Sequence, residues 1–334
     1  MPIVDLVRGP GFFRTLLAGL VVLSHLSNFE IGRPAVFAFF MLSGYWIARM
    51  FEEKYKNHPS ITVFYTSRFL RIFLAFFAAS LIVAVSRTIF LQDVRPEDYL
   101  GFVVFGLATH KHDFLGVSWS LDIELQFYLL APALCLAFGA PRWARLRPFV
   151  WPTTLAATAL GWVVLLKWEI SLVFAFLPSF LIGMWIYYAK IAPSRRAIWA
   201  SALMFLGIGA LVWAWPDARP LLLRNVESPI HEDMFGIAWT ALLAPLVAAN
   251  VRQRSGRFDR WLGDFSYSLY LVHWPTIYYF KIAFAPVPLD IYEQALLLAL
   301  IPVVAIAFFL IIDRSMEQIR VLLVARRAGV VPAN

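Results

Sequence analysis

The feature that most constrains this chain is a series of apolar runs, each about as long as a bilayer is thick. A transmembrane helix needs roughly 20 consecutive apolar residues. Runs of this kind lie near residues 12–31, 35–51, 69–91, 119–139, 149–166, 170–190, 197–215, 234–250, 266–284 and 291–312. They predict an all-α polytopic integral membrane protein of about ten transmembrane helices. We expect a single transmembrane domain over residues 1–334, with no appended soluble domain.

Composition and charge agree with a membrane protein. Hydrophobic residues make up 61% of the chain and charged residues 15%, whereas soluble domains carry about 25% charged residues. Most of the 29 lysines and arginines lie in the loops near 49–71, 142–147, 190–196 and 252–260 and in the tail after 313. The positive-inside rule places these segments and both termini in the cytoplasm. The net charge of +8 therefore reflects orientation, and we expect no nucleic-acid partner.

The first apolar run carries two ionisable side chains, Arg14 and His25. At ~100° and ~1.5 Å per residue they share one helical face, roughly 16 Å apart along the axis. Ionisable groups at such depth cost free energy and usually have a function. Two interpretations stay open. Arg14 reaches the interface and His25 hydrogen-bonds a neighbouring helix, or both belong to a site.

A second basic pair, Arg68 and Arg71, lies at the entry of the third run. The two are three residues apart, so they share one face of the helix. Their predicted depth in the membrane is the same as that of Arg14. Positive-inside anchors have the same appearance. Alternatively, guanidinium forks match phosphate oxygens, so the three arginines would hold a phosphorylated cytosolic cofactor such as a coenzyme A thioester.

The fourth run carries a polar stripe of Ser120, Glu124 and Tyr128, spaced four residues apart. Glu124 and His25 both lie roughly 9 Å below the predicted outer surface, so they could meet. A carboxylate beside an imidazole favours the imidazolium, or holds the neutral ring in one tautomer so that its other nitrogen acts as a base. The alternative is a structural hydrogen bond between helices.

Other polar positions interrupt the apolar runs. His273 lies in the ninth run near Pro275, and is either structural or catalytic. Ser43 lies in the segment FFMLSGY at 39–45, where small residues permit close helix contact. Cys135 is the single cysteine, which excludes an intramolecular disulfide and a cysteine-based metal site, and we expect no metal.

Five motifs resemble those of the membrane-bound acyltransferase type 3 family and occur in the same order. Members of this family resemble polysaccharide O-acetyltransferases. The motifs are Arg14-X10-His25, FFMLSGY (39–45), Arg68-X-X-Arg71, SWSLDIELQFYLLAP (118–132) and SYSLYLVHWP (266–275). The resemblance extends over roughly residues 12–280.

The chain departs from the family pattern around its first arginine. The family usually has an acid three residues before that arginine and a glycine after it, whereas Gly11 and Thr15 stand here. The upstream sequence Asp5-X-X-Arg8-Gly9 has the missing pattern, but its spacing to the histidine fails.

The resemblance implies an integral membrane O-acyltransferase of a bacterial inner membrane. It would move an acyl group from a cytosolic acyl-CoA to a hydroxyl of an extracytoplasmic glycan or glycolipid. The expected acyl group is acetyl. Arg14, Arg68 and Arg71 would hold the donor phosphates. His25 would act as general base or transient acyl carrier, with Glu124 orienting it.

Acceptor choice would then depend on the two longest outer loops, 92–118 and 216–233. Two other classes remain from the residues alone. A proton-coupled transporter or flippase would also carry intramembrane His and Glu, and a structural scaffold is the third alternative.

Overall fold

The computed structural model describes residues 9–58, 60–102, 105–106, 112–139, 145, 147–224, 226, 230–284 and 289–328. Most of the upstream segment Asp5 to Gly9 thus lies outside the described residues. Within them the chain is helical, apart from turns and an isolated antiparallel bridge between Phe29 and Leu223. The α-helices are α1 (Pro10–Leu26), α2 (Gly32–Met50), α3 (Ile61–Ser86), α4 (Ser118–Gly139), α5 (Arg147–Trp168), α6 (Val173–Tyr188), α7 (Arg195–Ala214), α8 (Glu232–Ala241), α9 (Ala244–Asn250), α10 (Arg257–Phe284), α11 (Ile291–Phe308) and α12 (Arg314–Arg327).

Many of these helices have the length and composition of membrane spans. In the described part of the chain, six candidate spans involve α2, α3, α4, α5, α7 and α11 with α12. The pair α8 and α9, bent by 56°, makes a seventh, and α1 and α6 are apolar but shorter. The chain is therefore a multi-pass helical membrane protein, as predicted. The number of ten spans and the cytoplasmic termini stay predictions.

Helix α1 ends earlier than the apolar run suggests, at Leu26 rather than Ile31. The hydroxyl of Ser24 donates to the carbonyl of Phe29 at 2.9 Å, and the Ser27 amide donates to the Ser24 carbonyl at 3.4 Å. These bonds fold the chain back before α2 begins. His25 consequently lies in the last turn of α1.

Two compact units make up the chain. Unit 1 consists of Met1–Glu53 and Leu130–Ser266, and unit 2 consists of Lys54–Leu129 and Tyr267–Asn334. Each unit is assembled from segments that are distant in sequence. The single transmembrane domain stays a prediction.

Unit 1 is built around the close packing of α2 against α6. A Cβ atom added to Gly44 would lie 2.0 Å from the Phe180 carbonyl oxygen, and one added to Gly183 would lie 1.9 Å from that of Met41. The absence of these side chains lets the backbones approach, and the Phe40 ring stacks on Phe180 at 4.6 Å. Small residues in the FFMLSGY segment thus permit close helix contact, as the sequence suggests.

In unit 2, polar side chains of α10 find partners on α3 and on Asp313, which lies between α11 and α12. The Tyr267 hydroxyl donates to the Ile72 carbonyl at 2.8 Å. The Ser268 hydroxyl donates to the buried Asp313 carboxylate at 2.8 Å. Such bonds offset the cost of placing polar groups among apolar side chains.

The glycine contact between α2 and α6 can be tested by adding one methyl group. We expect Gly183→Ala to lower the free energy of unfolding by about 1–3 kcal/mol, because the new Cβ overlaps backbone atoms. Gly207→Ala is the matched control, since its Cβ would meet open space on α7 and the helix would gain up to ~1 kcal/mol. Thermal unfolding of the purified protein in detergent measures both. Equal stability of the two variants would contradict the packing described.

Candidate functional site

Four arginines line a cavity of about 640 Å³ in unit 1. They are Arg14 of α1, Arg49 of α2, Arg252 from the turn after α9, and Arg260 of α10. This arginine cavity has a volume typical of small-molecule sites. Arg49, Arg252 and Arg260 lie in loops that the sequence predicts to be cytoplasmic. Such a concentration of guanidinium groups suits a phosphate-bearing ligand.

Arg49 and Arg260 carry more N–H donors than their hydrogen bonds to Glu53 and Ser255 use. Arg49 pairs with Glu53 at 2.9 Å and lies over the Trp46 ring at 5.4 Å. Arg260 donates to the Ser255 carbonyl at 3.0 Å. Each guanidinium carries five N–H donors. The buried Trp46 indole N–H has no hydrogen-bond partner among the described residues, so it too is a donor that an anionic ligand could use.

Asp259 fixes the start of α1 beside this cavity. Its carboxylate accepts hydrogen bonds from the backbone N–H groups of Gly11 at 3.1 Å and Phe12 at 2.8 Å. These are two of the N–H groups that a helix start leaves without an intrahelical partner. A carboxylate is also favoured there by the helix dipole. The first turn of α1 is thereby held against the first turn of α10, which positions Arg14.

The two departures from the family pattern make contacts at this point. A Cβ atom on Gly11 would lie 1.7 Å from the Asp259 carbonyl oxygen, so an acid cannot stand there. The Thr15 hydroxyl donates to the Leu262 carbonyl at 2.8 Å. Asp259 therefore supplies a carboxylate to the helix start, and Thr15 ties the next turn to α10.

His25 is partly buried at the opposite end of α1, next to an ionic network. Arg224 donates to the Ser24 carbonyl at 3.0 Å and pairs with Glu30 at 3.4 Å. The Ser24 hydroxyl also lies 3.2 Å from the Glu30 carboxylate. A cation is favourable at a helix C-terminus. The network attaches the outer loop 216–233 to the helix end that carries His25.

The end of this outer loop at α8 is fixed by Arg33. Both carboxylate oxygens of the buried Asp233 lie 2.6 Å from its Nη1 atom, and Glu232 lies 3.1 Å from Nη2. These acids form the first turn of α8 and Arg33 the first turn of α2. Arginine–carboxylate pairs thus hold the loop at Arg224 and at its end before α8.

The polar stripe on α4 is only partly one network. The Tyr128 hydroxyl donates to the Glu124 carboxylate at 2.6 Å, as the four-residue spacing suggests. Ser120 instead shares a 2.7 Å hydrogen bond with Tyr270. His25 belongs to unit 1 and Glu124 to unit 2, so their pairing stays a prediction.

Arg68 and Arg71 lie in unit 2 with a carboxylate and a third arginine from α12. Arg71 pairs with Glu317 at 3.1 Å, and Arg320 reaches the same carboxylate at 2.7 Å. Arg68 and Arg320 both donate to the Ser67 hydroxyl, at 3.2 and 3.0 Å. These contacts serve an anchor as well as a ligand site. The grouping of this pair with Arg14 of unit 1 stays a prediction.

The remaining candidates have structural surroundings. His273 is fully buried in α10, with Nδ1 2.7 Å from the Tyr270 carbonyl oxygen. Because a carbonyl only accepts, Nδ1 carries the hydrogen. Ser43 is buried in α2 beside Gly44, at the close contact with α6.

Sequence reasoning missed four residues at the arginine cavity: Arg49, Arg252, Arg260 and Asp259. Their basic members lie in loops that read as orientation signals. The available signal was the density of charge in RQRSGRFDR at 252–260. What the sequence could not show is that this segment converges on Arg14.

The helices and the basic cavity define a multi-pass membrane protein with a candidate site for a phosphorylated ligand. A family model described as an acyltransferase domain matches residues 8–313, and the chain belongs to this acyltransferase type 3 family.

Two relatives support this assignment. The chain is 25% identical over 324 residues to peptidoglycan O-acetyltransferase OatA of Listeria monocytogenes serovar 1/2a, a match that covers 78% of this chain and 48% of that protein. It thus spans about half the length of that relative. It is 26% identical over 271 residues to nodulation protein 10 of Rhizobium leguminosarum bv. viciae, covering 72% of this chain and 70% of that protein. No solved structure matches the chain.

Removal of the Asp259 carboxylate should loosen the start of α1. We expect Asp259→Ala to cost about 0.5–2 kcal/mol of stability, because it deletes the acceptor of two helix N–H groups. Backbone amides near Gly11 and Phe12 should exchange hydrogen faster, as read by mass spectrometry. Asp217→Ala, at an exposed position, is the control. Unchanged exchange in the Asp259 variant would contradict the capping role.

Proposed function

We propose that this chain is an integral membrane O-acyltransferase of a bacterial inner membrane. It transfers an acyl group from a cytosolic acyl-CoA to a hydroxyl of an extracytoplasmic glycan or glycolipid. The acyl group that we propose is acetyl. Family membership and the similarity to the Listeria peptidoglycan O-acetyltransferase support acyl transfer. The observation that carries the donor assignment is the arginine cavity.

The arginine cavity takes the nucleotide phosphates of the donor in this proposal. Arg14, Arg252 and Arg260 come from three separate segments and face one space. A phosphate anion there replaces lost hydration with charge-assisted hydrogen bonds. The fixed start of α1 keeps Arg14 in place without a donor present, so less ordering is needed on binding.

His25 performs the chemical step in this proposal. As general base, its neutral imidazole takes the proton of the acceptor hydroxyl while that oxygen attacks the thioester carbonyl. The carbon–sulfur bond then breaks and coenzyme A leaves as the thiol after taking up a proton. Alternatively the imidazole accepts the acyl group first and passes it to the hydroxyl. Glu124 would orient the ring in either route.

Donor affinity tests the arginine cavity. We expect Arg252→Ala to raise the KM for acetyl-CoA roughly ten- to hundredfold, because a charge-assisted hydrogen bond is lost. Arg252→Lys should restore part of it, since the charge remains. Arg196→Ala is the control, because Arg196 is exposed at the start of α7 and does not line the cavity. An unchanged KM in the Arg252→Ala variant would return this residue to an orientation role.

The role of His25 is tested by transfer to an acceptor. His25→Ala should lower the transfer rate by at least about a hundredfold while acetyl-CoA still binds. His58→Ala is the control, because its ring bonds the Ser60 backbone in the turn between α2 and α3, away from α1 in sequence. With labelled acetyl-CoA and surface glycans, an ester on the acceptor is the expected product. Movement of label without any ester is what a carrier would give and would contradict the proposal.

A further inference from the structure

Unit 2 contains an apolar cavity of about 440 Å³ that the donor assignment does not use. Ala79, Val83 and Ser86 line it from one face of α3, and Val304 of α11 lies on its wall. Ala283, exposed near the end of α10, also lines it. The cavity can therefore accept an aliphatic chain.

A polar pocket of about 310 Å³ lies in the segment that follows α3. Arg87 donates two hydrogen bonds to Asp93, at 3.0 and 2.9 Å, and Tyr278 donates to the same carboxylate at 3.0 Å. Asp98 and Asp113 also line the pocket. These groups match the donors and acceptors of sugar hydroxyls.

The apolar cavity and the polar pocket are neighbours in unit 2. Three pairs of consecutive residues each place one member on the apolar cavity and the other at the polar pocket, either as lining or as a partner of Asp93. The pairs are Ser86 with Arg87, Leu115 with Phe114, and Tyr279 with Tyr278. The Ser86 and Tyr279 hydroxyls hydrogen-bond each other. An occupant that spans both spaces is therefore apolar at one end and polar at the other.

The charge of the polar pocket argues against a phosphate there. Its two guanidiniums, Arg87 and Arg95, are already paired with the carboxylates of Asp93 and Asp98. Asp113 and His112 also line the pocket. The hydrogen bond from Arg87 lowers the pKa of Asp93, so this carboxylate is ionised at neutral pH. Burial raises the pKa of Asp113. The N–H groups of Leu115 and Ser118 donate to its carboxylate and act in the opposite direction, because they stabilise the charged form.

Two aromatic rings also engage the Arg87 guanidinium. The guanidinium of Arg87 lies 5.9 Å from the Phe114 ring centroid and 5.6 Å from that of Tyr278. The negative ring faces stabilise the Arg87 cation, which Asp93 also pairs, so Arg87 is already engaged before any ligand binds. An uncharged sugar thus fits the pocket better than an anionic headgroup does.

We propose that the apolar cavity and the polar pocket form one binding site for a glycolipid acceptor with an uncharged sugar. This inference rests on the proposed function and narrows its acceptor to a molecule anchored in the bilayer. Lipid tails are as apolar as the cavity, so entry of the chain gains little free energy. The aliphatic chain of the glycolipid fixes where the molecule binds, and the polar pocket selects the sugar.

Photolabelling of the full chain in phosphatidylcholine nanodiscs tests this site. The probe is dodecyl β-glucoside with a diazirine in its alkyl chain. We expect label on peptides containing residues 79–86 or 275–284. Excess dodecyl glucoside should lower the label about tenfold, whereas methyl glucoside and phosphatidylglycerol should lower it much less. Equal competition by phosphatidylglycerol would make this an ordinary lipid groove and overturn the inference.

Two tryptophan variants of α10 test whether the alkyl chain of the probe lies in the apolar cavity. Ala283→Trp fills the apolar cavity and should lower labelling about tenfold. Ile282→Trp adds the same bulk at a neighbouring position that is 50% exposed and does not line the cavity, so its labelling should stay near wild type. Equal labelling of the two variants would overturn the placement of the alkyl chain in this cavity, whatever the result of the competition with glucosides and phosphatidylglycerol.

The proposed function and this inference fail in distinguishable ways. Wild-type protein that takes up the glucoside probe selectively but forms no ester from labelled acetyl-CoA would retain the site and refute acyl transfer. Protein that acetylates a lipid-free glycan as readily as dodecyl glucoside would retain acyl transfer and refute the glycolipid acceptor.

Discussion

A carboxylate at a helix N-terminus is the interaction on which the candidate donor site depends. The first N–H groups of an apolar helix have no intrahelical acceptors, and Asp259 supplies one for Gly11 and Phe12. Because Asp259 lies in the first turn of α10, the bond also determines which segment packs beside α1. Arg14 and Arg260 are brought to the same cavity as a result.

Several of the arginine–carboxylate contacts described above lie where helices begin or end. Arg224 at the end of α1 and Arg33 at the start of α2 attach the outer loop 216–233 to unit 1. In unit 2, the polar pocket begins where α3 ends, and the apolar cavity lies alongside the preceding turns. Helix ends leave backbone groups that need partners, so the side chains that satisfy them are also placed to meet ligands.

Local patterns predicted the parts of this structure that depend on neighbours in sequence. Long apolar runs identify a multi-pass protein, and the spacing of Glu124 and Tyr128 foretells their hydrogen bond. The end of α1 was predicted wrongly, because Ser24 bonds to Phe29 and turns the chain within an apolar run. Long-range partners escaped prediction: a basic loop residue such as Arg252 looks like an orientation signal until packing places it beside Arg14.

Arginine-specific modification tests the central claim most directly. Purified protein is treated with phenylglyoxal, with and without saturating coenzyme A, and the modified peptides are quantified by mass spectrometry. Coenzyme A should protect Arg14, Arg252 and Arg260, which line one cavity, and leave the exposed Arg196 reactive. Equal modification of the cavity arginines in both samples would contradict a phosphate site at the start of α1.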